Sequence, residues 1–397
     1  MRNKLMLITA LALLSISATS QGNLGRNAVI SLVTYDPSET AVYALYGHTA
    51  IRVKDTIAGT DYVFNYGIFD FSRPGFIYRF TKGETDYKLG VVEFRHLIAE
   101  CTYRECGVRE QILNLSDEEK SRIWETLIWN AKPENATYRY NFFFDNCATR
   151  PVAIIEKSIS GKIVYADSNE QHTFRELINN CMRNNPWLIF GTEIALGSPA
   201  DRIATQQEEF FLPLCLEAAF AKATIVNPDG SERKLIVQTN VLLDSVPDKR
   251  IKGGVTPFQC MWAILTIVLL LAIWEWKGGN LRWMDCVIFC TTGLAGCLVF
   301  FLAFVSVHPA TWPNWLILWL HPFHLVGAIL IASKNWKKNT KIYHCANIIL
   351  LSALLIGSPF IPQQFNSAFF PLIILLLFRS AINLMRRRLE KKLLPHS

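Results

Sequence analysis

The chain has 397 residues, of which 51% are hydrophobic and only 18% charged, against about 25% charged in an ordinary soluble domain. These figures exclude a disordered chain, a collagen-like fibre and a small disulfide scaffold, and they are too apolar for a purely soluble protein. The formal net charge is +7, and its meaning depends on where the charges lie.

Residues 1–20 read as a secretory signal peptide. Arg2 and Lys4 form a positive start, Leu5 to Ile16 is a short apolar run, and Ala18, Thr19 and Ser20 are small residues before a cleavage point. The run is too short to span a bilayer, so the mature chain is expected to begin outside the inner membrane. Residues 21–250 carry frequent charges and short apolar runs, as a periplasmic globular domain should.

Within that domain His48, Ala50 and Arg52 alternate with Thr49, Ile51 and Val53, which predicts a strand. A turn over 58–61 leads to a second strand over 62–67, so the two form a hairpin. Further on, the aromatic run from Tyr140 to Phe144 ends at Asp145 and Asn146, both good helix N-caps. Val152 to Ile155 continue the helix, with Pro151 in its first turn. The run Phe210 to Leu214 reads as ordinary core or as a helix lying against the membrane.

The character changes at Pro257. Apolar stretches over 258–276, 284–307, 312–332, 343–361 and 368–384 each approach the roughly 20 residues that cross a bilayer. They predict an all-α domain of five transmembrane helices over 257–384, followed by a basic cytoplasmic tail over 385–397. Loop 277–283 carries Lys277 and Arg282, loop 333–342 carries four lysines, and the tail carries Arg386, Arg387 and Arg388, whereas loops 308–311 and 362–367 carry neither Lys nor Arg. The positive-inside rule puts the basic loops and the C-terminus in the cytoplasm. Five crossings and a signal peptide agree with that orientation. Topology therefore explains most of the positive charge, and no nucleic-acid partner is implied.

The chemistry gathers in the outer domain. Cys147 would lie at a helix N-terminus, where the helix dipole favours the thiolate. A nearby imidazole can take its proton, and a third polar group can fix the imidazole. His48 is the candidate imidazole and Asn65 the candidate orienting group, with Tyr66 and Asp70 as further candidates for that role. The Cys147 backbone N–H is placed to serve an oxyanion. Arg150, three residues beyond Cys147, could hold a phosphate or support the thiolate, or form a plain surface ion pair. His308, at the outer end of the second span, could bind a headgroup or be solvated at the interface. His321 and His324 share a helix face if Pro322 does not break it. The membrane tryptophans, among them Trp312, Trp315 and Trp319, read as interfacial anchors.

Of the five cysteines in the outer domain, Cys101 with Cys106 and Cys181 with Cys215 could pair and leave Cys147 free, one connectivity among several. No spacing suggests a metal site, and no phosphate-binding loop or dinucleotide fingerprint is present, so no cofactor is expected.

A histidine on a strand followed by Asn146-Cys147 opening a helix resembles the circularly permuted branch of the papain-like cysteine enzymes, which includes lecithin–retinol acyltransferase-like proteins. More closely, Gly47 to Val53, Asn65 to Phe71 and Phe143 to Arg150 resemble the signature of the lipoprotein N-acyltransferases of the Bacteroides type. The resemblance implies an α+β outer domain with an antiparallel sheet and a nucleophile helix, joined to the membrane region. It implies transfer of an acyl chain from a phospholipid to the α-amino group of a diacylglyceryl-cysteine lipoprotein at the inner membrane. In that setting Cys147, His48 and Asn65 would be catalytic, and Asn146 would support the nucleophile turn. Two rival readings stand beside it: a cell-wall amidase or peptidase, and a membrane-anchored binding protein with structural Cys and His.

Overall fold

The computed structural model describes residues 24–69, 74–168, 170–245, 253–333 and 337–393. The expected signal peptide and Asp70 lie outside the described residues. The chain divides into two compact units, Met1–His172 with Ile203–Lys249, and Thr173–Arg202 with Arg250–Ser397.

The first unit is built on a sheet whose strands pair antiparallel throughout. Its strands in chain order are β1 (Val29–Tyr35), β2 (His48–Asp55), β3 (Thr60–Ile68), β4 (Asp86–Glu93), β5 (Val108–Leu113) and β6 (Thr137–Arg139). Three short strands follow, β7 (Lys162–Val164), β8 (Thr224–Val226) and β9 (Glu232–Lys234), and then β10 (Ile236–Leu243). The main sheet has the order β10-β5-β1-β2-β3-β4-β6, and β7-β8-β9 form a second sheet. The predicted hairpin is present, with Ile51 opposite Phe64 and Asp55 opposite Thr60.

Period-two alternation divides the strands between two cores. Ile30, Leu32, Ile51, Val53, Phe64 and Tyr66 face one way, against Ile123 and Leu127 of the helix Asp117–Ala131 and Val152 and Ile155 of the helix Thr149–Ser158. Val33, Ala50 and Val63 face the other way, against Leu97 and Cys101 of the helix Phe94–Tyr103. Burial on both faces fixes the register, because a one-residue slip would exchange the two sets. On the second face the buried Arg52 holds Asp61 through Nε and Nη2 at 2.7 and 2.6 Å and Glu110 through Nη1 at 2.9 Å, tying β2 to β3 and β5. Phe210, Phe211 and Leu212 are buried, so the run read as core or membrane-facing is core.

The second unit is helical. Among the described residues four stretches are long and apolar enough to cross a membrane, Pro257–Trp276, Arg282–Phe304, Trp315–Ala332 and Lys338–Phe360, and Phe369–Met385 is a shorter apolar helix. The last helix runs Phe369–Leu393, into the region read as a tail. The third stretch is broken: a 3-10 turn covers Trp315–Leu318, and a new helix, Phe323–Ala332, starts after Pro322. His321 and His324 therefore do not share a continuous helix, yet their rings stack at 4.0 Å. Trp319 is 2% exposed and packs 5.6 Å from Phe369, so it is core and not an interfacial anchor. Trp274, Trp276 and Trp312 are exposed.

Thr173–Arg202 counts with this second unit, although its sequence precedes the apolar runs. Long-range bonds give the reason. Gly197 N–H donates to Ala310 O at 2.7 Å, Ser198 N–H to Pro313 O at 2.8 Å, and Gln363 Nε2 to Leu196 O at 3.1 Å.

Candidate active site

Two glycines shape the approach to His48. Gly47, immediately before it, has φ +73°, a conformation glycine adopts without penalty, and a Cβ there would sit 2.8 Å from Tyr35 O. Gly67, at the end of β3, has φ +133°, and a Cβ there would meet His48 Cε1 at 3.3 Å and Cys147 Cβ at 3.7 Å. Gly67 thus lets the histidine and the cysteine approach from two different elements. His48 opens β2 on the face of Ala50 and Arg52. Asn65 lies on the matching face of β3, and Tyr66 necessarily points to the opposite one.

His48 Nε2 lies 2.6 Å from Asn65 Oδ1. An amide oxygen only accepts, so Nε2 carries the hydrogen and Nδ1 is left for the thiol. The Tyr35 ring packs 5.1 Å from the imidazole and limits its rotation.

The nucleophile turn is held by Asn146, which is 2% exposed. Its Oδ1 accepts from the Ala148 and Thr149 N–H groups at 2.8 and 3.0 Å, and its Nδ2 donates to Phe142 O and Phe211 O, both at 2.8 Å. All of its bonding capacity in the amide plane is used, so the turn has one conformation. The helix itself begins at Thr149, two residues later than an Asn146 cap predicts, because Asn146 caps from within a turn. Helical bonding still starts there, since Arg150 N–H donates to Asn146 O at 3.2 Å. Cys147 sits in this turn with the helix running away from it.

The electrostatics follow from the pairing. Burial pushes the Cys147 thiol up, but the adjacent His48 charge, the hydrogen bond from His48 and the Thr49 and Cys147 backbone N–H groups outweigh it and bring it below its ordinary value. Burial pushes His48 down, and the Cys147 charge with the bonds to Cys147 and Asn65 carries it above its ordinary value. Each group stabilises the charged form of the other, which is the condition for a thiolate–imidazolium pair.

The remaining expected site residues lie elsewhere. Tyr66 is 1% exposed in the core, where its hydroxyl accepts from Asn130 Nδ2 at 2.8 Å and burial pushes it up to about 12. Arg150 grips Asp145 through Nε and Nη2 at 2.5 and 2.8 Å and stacks 3.6 Å over the Tyr138 ring. His308 belongs to the second unit, half-buried in the stretch after the helix Arg282–Phe304. The two suggested disulfides are not formed, because Cys101, Cys106, Cys181 and Cys215 are free thiols, as is Cys147. Among the described residues no group of three or more His, Cys, Asp or Glu is placed to hold a metal ion.

Sequence reasoning passed over Gly67, Tyr35 and the Thr49 N–H. For Gly67 there was a signal: a glycine inside a strand marks a close approach. The other two are positions in a sheet, visible only once β1 and β2 are paired.

Residues 27–180 match the family model described as Lnb N-terminal periplasmic domain. Residues 249–391 match the one described as Lnb transmembrane domain, and together the two cover about three quarters of the chain. No curated protein and no solved structure gives a match.

Proposed function

The chain belongs to the Lnb family and is a membrane protein with a periplasmic N-terminal domain, and from that premise we propose that it is a lipoprotein N-acyltransferase acting through a Cys147 thioester. The observation that carries this reading is the arrangement of Cys147, His48 and Asn65: a thiol drawn toward thiolate by an imidazole that an amide orients. The apolar helices of the second unit support it, since both substrates are lipids.

Cys147 Sγ attacks an ester carbonyl of a phospholipid, and the Cys147 N–H serves the oxyanion. Collapse breaks the ester C–O bond. His48 gives its proton to the departing glycerol oxygen, which leaves a lysophospholipid and an acyl-thioester enzyme. The α-amino group of a diacylglyceryl-cysteine lipoprotein then attacks the thioester. His48, now neutral, takes the amine proton, the C–S bond breaks and the thiolate returns. Amines attack thioesters more readily than oxygen esters, so the thioester favours the amide product. Five crossings, with the basic loops and the C-terminus in the cytoplasm, would hold the outer domain 21–250 at the periplasmic face of the inner membrane.

Intact-mass spectrometry of the full chain in phospholipid micelles tests the reading. Wild-type protein should gain one fatty acyl chain, Cys147→Ala none, and added diacylglyceryl lipopeptide should remove it. No adduct from any phospholipid defeats the proposal, and cleavage of a muropeptide instead would favour a cell-wall amidase.

A further inference from the structure

The helix Phe76–Lys82 of the first unit contains no buried residue. Its sequence is nonetheless apolar, with Ile77 81% exposed and Tyr78 and Phe80 exposed beside it. The 3-10 turn Val42–Tyr46, which leads into Gly47 and His48, adds Val42 and Tyr43, 58% and 47% exposed. A surface helix of a soluble domain normally turns an apolar stripe inward, and a helix shorter than about 12 residues is marginal in water on its own. This one has seven residues, so an apolar phase outside the domain would stabilise it.

Rings join the two segments to each other and to the surroundings of the reacting pair. Phe69, two residues after Gly67, meets Tyr43 edge-on at 5.5 Å and Phe76 at 6.3 Å, and Phe76 meets Phe80 at 5.9 Å. Inward, Phe69 stacks on Tyr87 at 5.0 Å and Tyr87 on Tyr140 at 4.0 Å. Burial, and then the Cys147 charge, push the Tyr140 hydroxyl well above its ordinary value, so that ring lies within reach of the thiol. A continuous file of aromatic rings therefore runs from the neighbourhood of Cys147 to the exposed surface.

Charge, size and setting select the occupant. Three cations beside the surface are ion-paired: Arg79 with Asp86 at 2.5 Å, Lys82 with Glu84 at 2.8 Å and Arg104 with Glu100 at 2.7 Å. A strongly charged partner finds little to hold there. Seven residues of helix and five of turn are few against the roughly 20–30 a side of a stable protein interface, which disfavours a second copy of the chain. Tyrosine beside phenylalanine and isoleucine suits the boundary between water and hydrocarbon. The chain carries a transmembrane domain, so hydrocarbon is the apolar phase always tethered to the first unit.

We propose that Val42–Tyr46 and Phe76–Lys82 form a docking surface for phospholipid hydrocarbon, on which an acyl chain lies along Phe80, Tyr43 and Phe69 toward Cys147. Delivery of its ester to Cys147 rests on the acyltransferase reading above, but the hydrocarbon contact does not.

Photo-crosslinking of the full chain in nanodiscs of phosphatidylethanolamine and phosphatidylglycerol provides the test. A p-benzoylphenylalanine replaces Ile77 or, as the control, Val237, which is 64% exposed on β10 at the end of the sheet away from β4. The probe at Ile77 should capture phospholipid about tenfold more than the probe at Val237, with the new bond on an acyl carbon by fragmentation mass spectrometry. Equal capture at the two positions, capture through the headgroup alone, or capture of a second copy of the chain would overturn the surface. Ile77→Asn then tests the path to Cys147. It should raise KM for phospholipid about tenfold, as expected for removing one docked aliphatic side chain, with unfolding near wild type because nothing in that helix is buried. Lipid capture at Ile77 with KM unchanged would overturn the path. Should Ile77 capture acyl chains while wild-type protein never forms an acyl-enzyme, the transfer reading falls and the docking surface stands.

Discussion

His48 beside Cys147 in the first unit, and Arg379, Asp285 and Glu275 in the second, are held by short hydrogen bonds. Arg379 is 0% exposed and bonds Asp285 through Nε and Nη2 at 2.5 and 2.9 Å and Glu275 through Nη1 at 2.8 Å, while Asn383 Nδ2 bonds Asp285 at 2.9 Å. Arginine keeps its proton, and through it the cluster ties the helices Pro257–Trp276, Arg282–Phe304 and Phe369–Leu393 together. In the first unit both partners titrate, and each draws the other toward its charged form. A proton can therefore move there. Proximity of opposite charges alone does not make a reactive site; the site also needs partners able to exchange a proton.

The comparison breaks most visibly at its reactive member. Cys147→Ala should reduce acyl transfer by about 10⁴-fold or more, down to the background left by binding alone, with the unfolding temperature close to wild type. Persistence of turnover would remove the functional distinction between the clusters. For the fixed cluster the expected loss is in stability. Arg379→Met leaves Asp285 and Glu275 without their cation and should cost about 3–5 kcal/mol, read from unfolding in micelles. Replacing all three by apolar residues should recover most of that loss, and the Cys147 alkylation rate should stay within roughly twofold in both cases because no partner is shared.

Asn65→Ala sharpens the reactive side. Its hydrogen bond favours the imidazolium, so its removal lowers the His48 pKa and weakens the charge that holds Cys147 down. The acid limb of the pH–rate profile should then move to higher pH, as thiolate forms later. The alkaline limb should move to lower pH, as His48 loses its proton sooner. The active window narrows from both sides, and the maximal rate falls about 10²-fold. An unchanged profile would show that Asn65 does not orient the histidine.

The hairpin was legible because alternation over 48–53 and 62–67 has one physical meaning, a strand with two distinct faces. The same alternation puts Asn65 beside His48 and excludes Tyr66, so naming both as orienting candidates underused the pattern. The membrane helices were legible because apolar length needs no partner to be read. What stayed hidden depends on residues far apart in sequence. Nothing near Asp201 announces its ion-pair partner Arg175, and nothing near Asp285 announces Arg379. A lone charge in an apolar run signals only that some partner exists. The helix start was misplaced by two residues because Asn146 caps with its side chain from inside a turn, which local propensity does not distinguish from a cap at the helix boundary.

Arg150 offers the smallest effect and separates proximity from function most cleanly. It follows Cys147 by three residues, and its sequence position alone would support a role in binding phosphate or stabilising thiolate. Both guanidinium contacts instead go to Asp145, with the two side chains 28% and 37% exposed. Solvent screens a pair of that exposure, so its worth is about 0.2–1 kcal/mol. Stacking on Tyr138 adds a comparable amount. Arg150→Gln should therefore lower stability by about 1 kcal/mol, with kcat and the pH limbs of Cys147 alkylation unchanged. Arg150→Lys should restore part of the pair but not the stack, and so recover only part of the stability. If Arg150→Gln instead raises KM for phospholipid severalfold at unchanged stability, the guanidinium meets substrate, and proximity to Cys147 is functional after all.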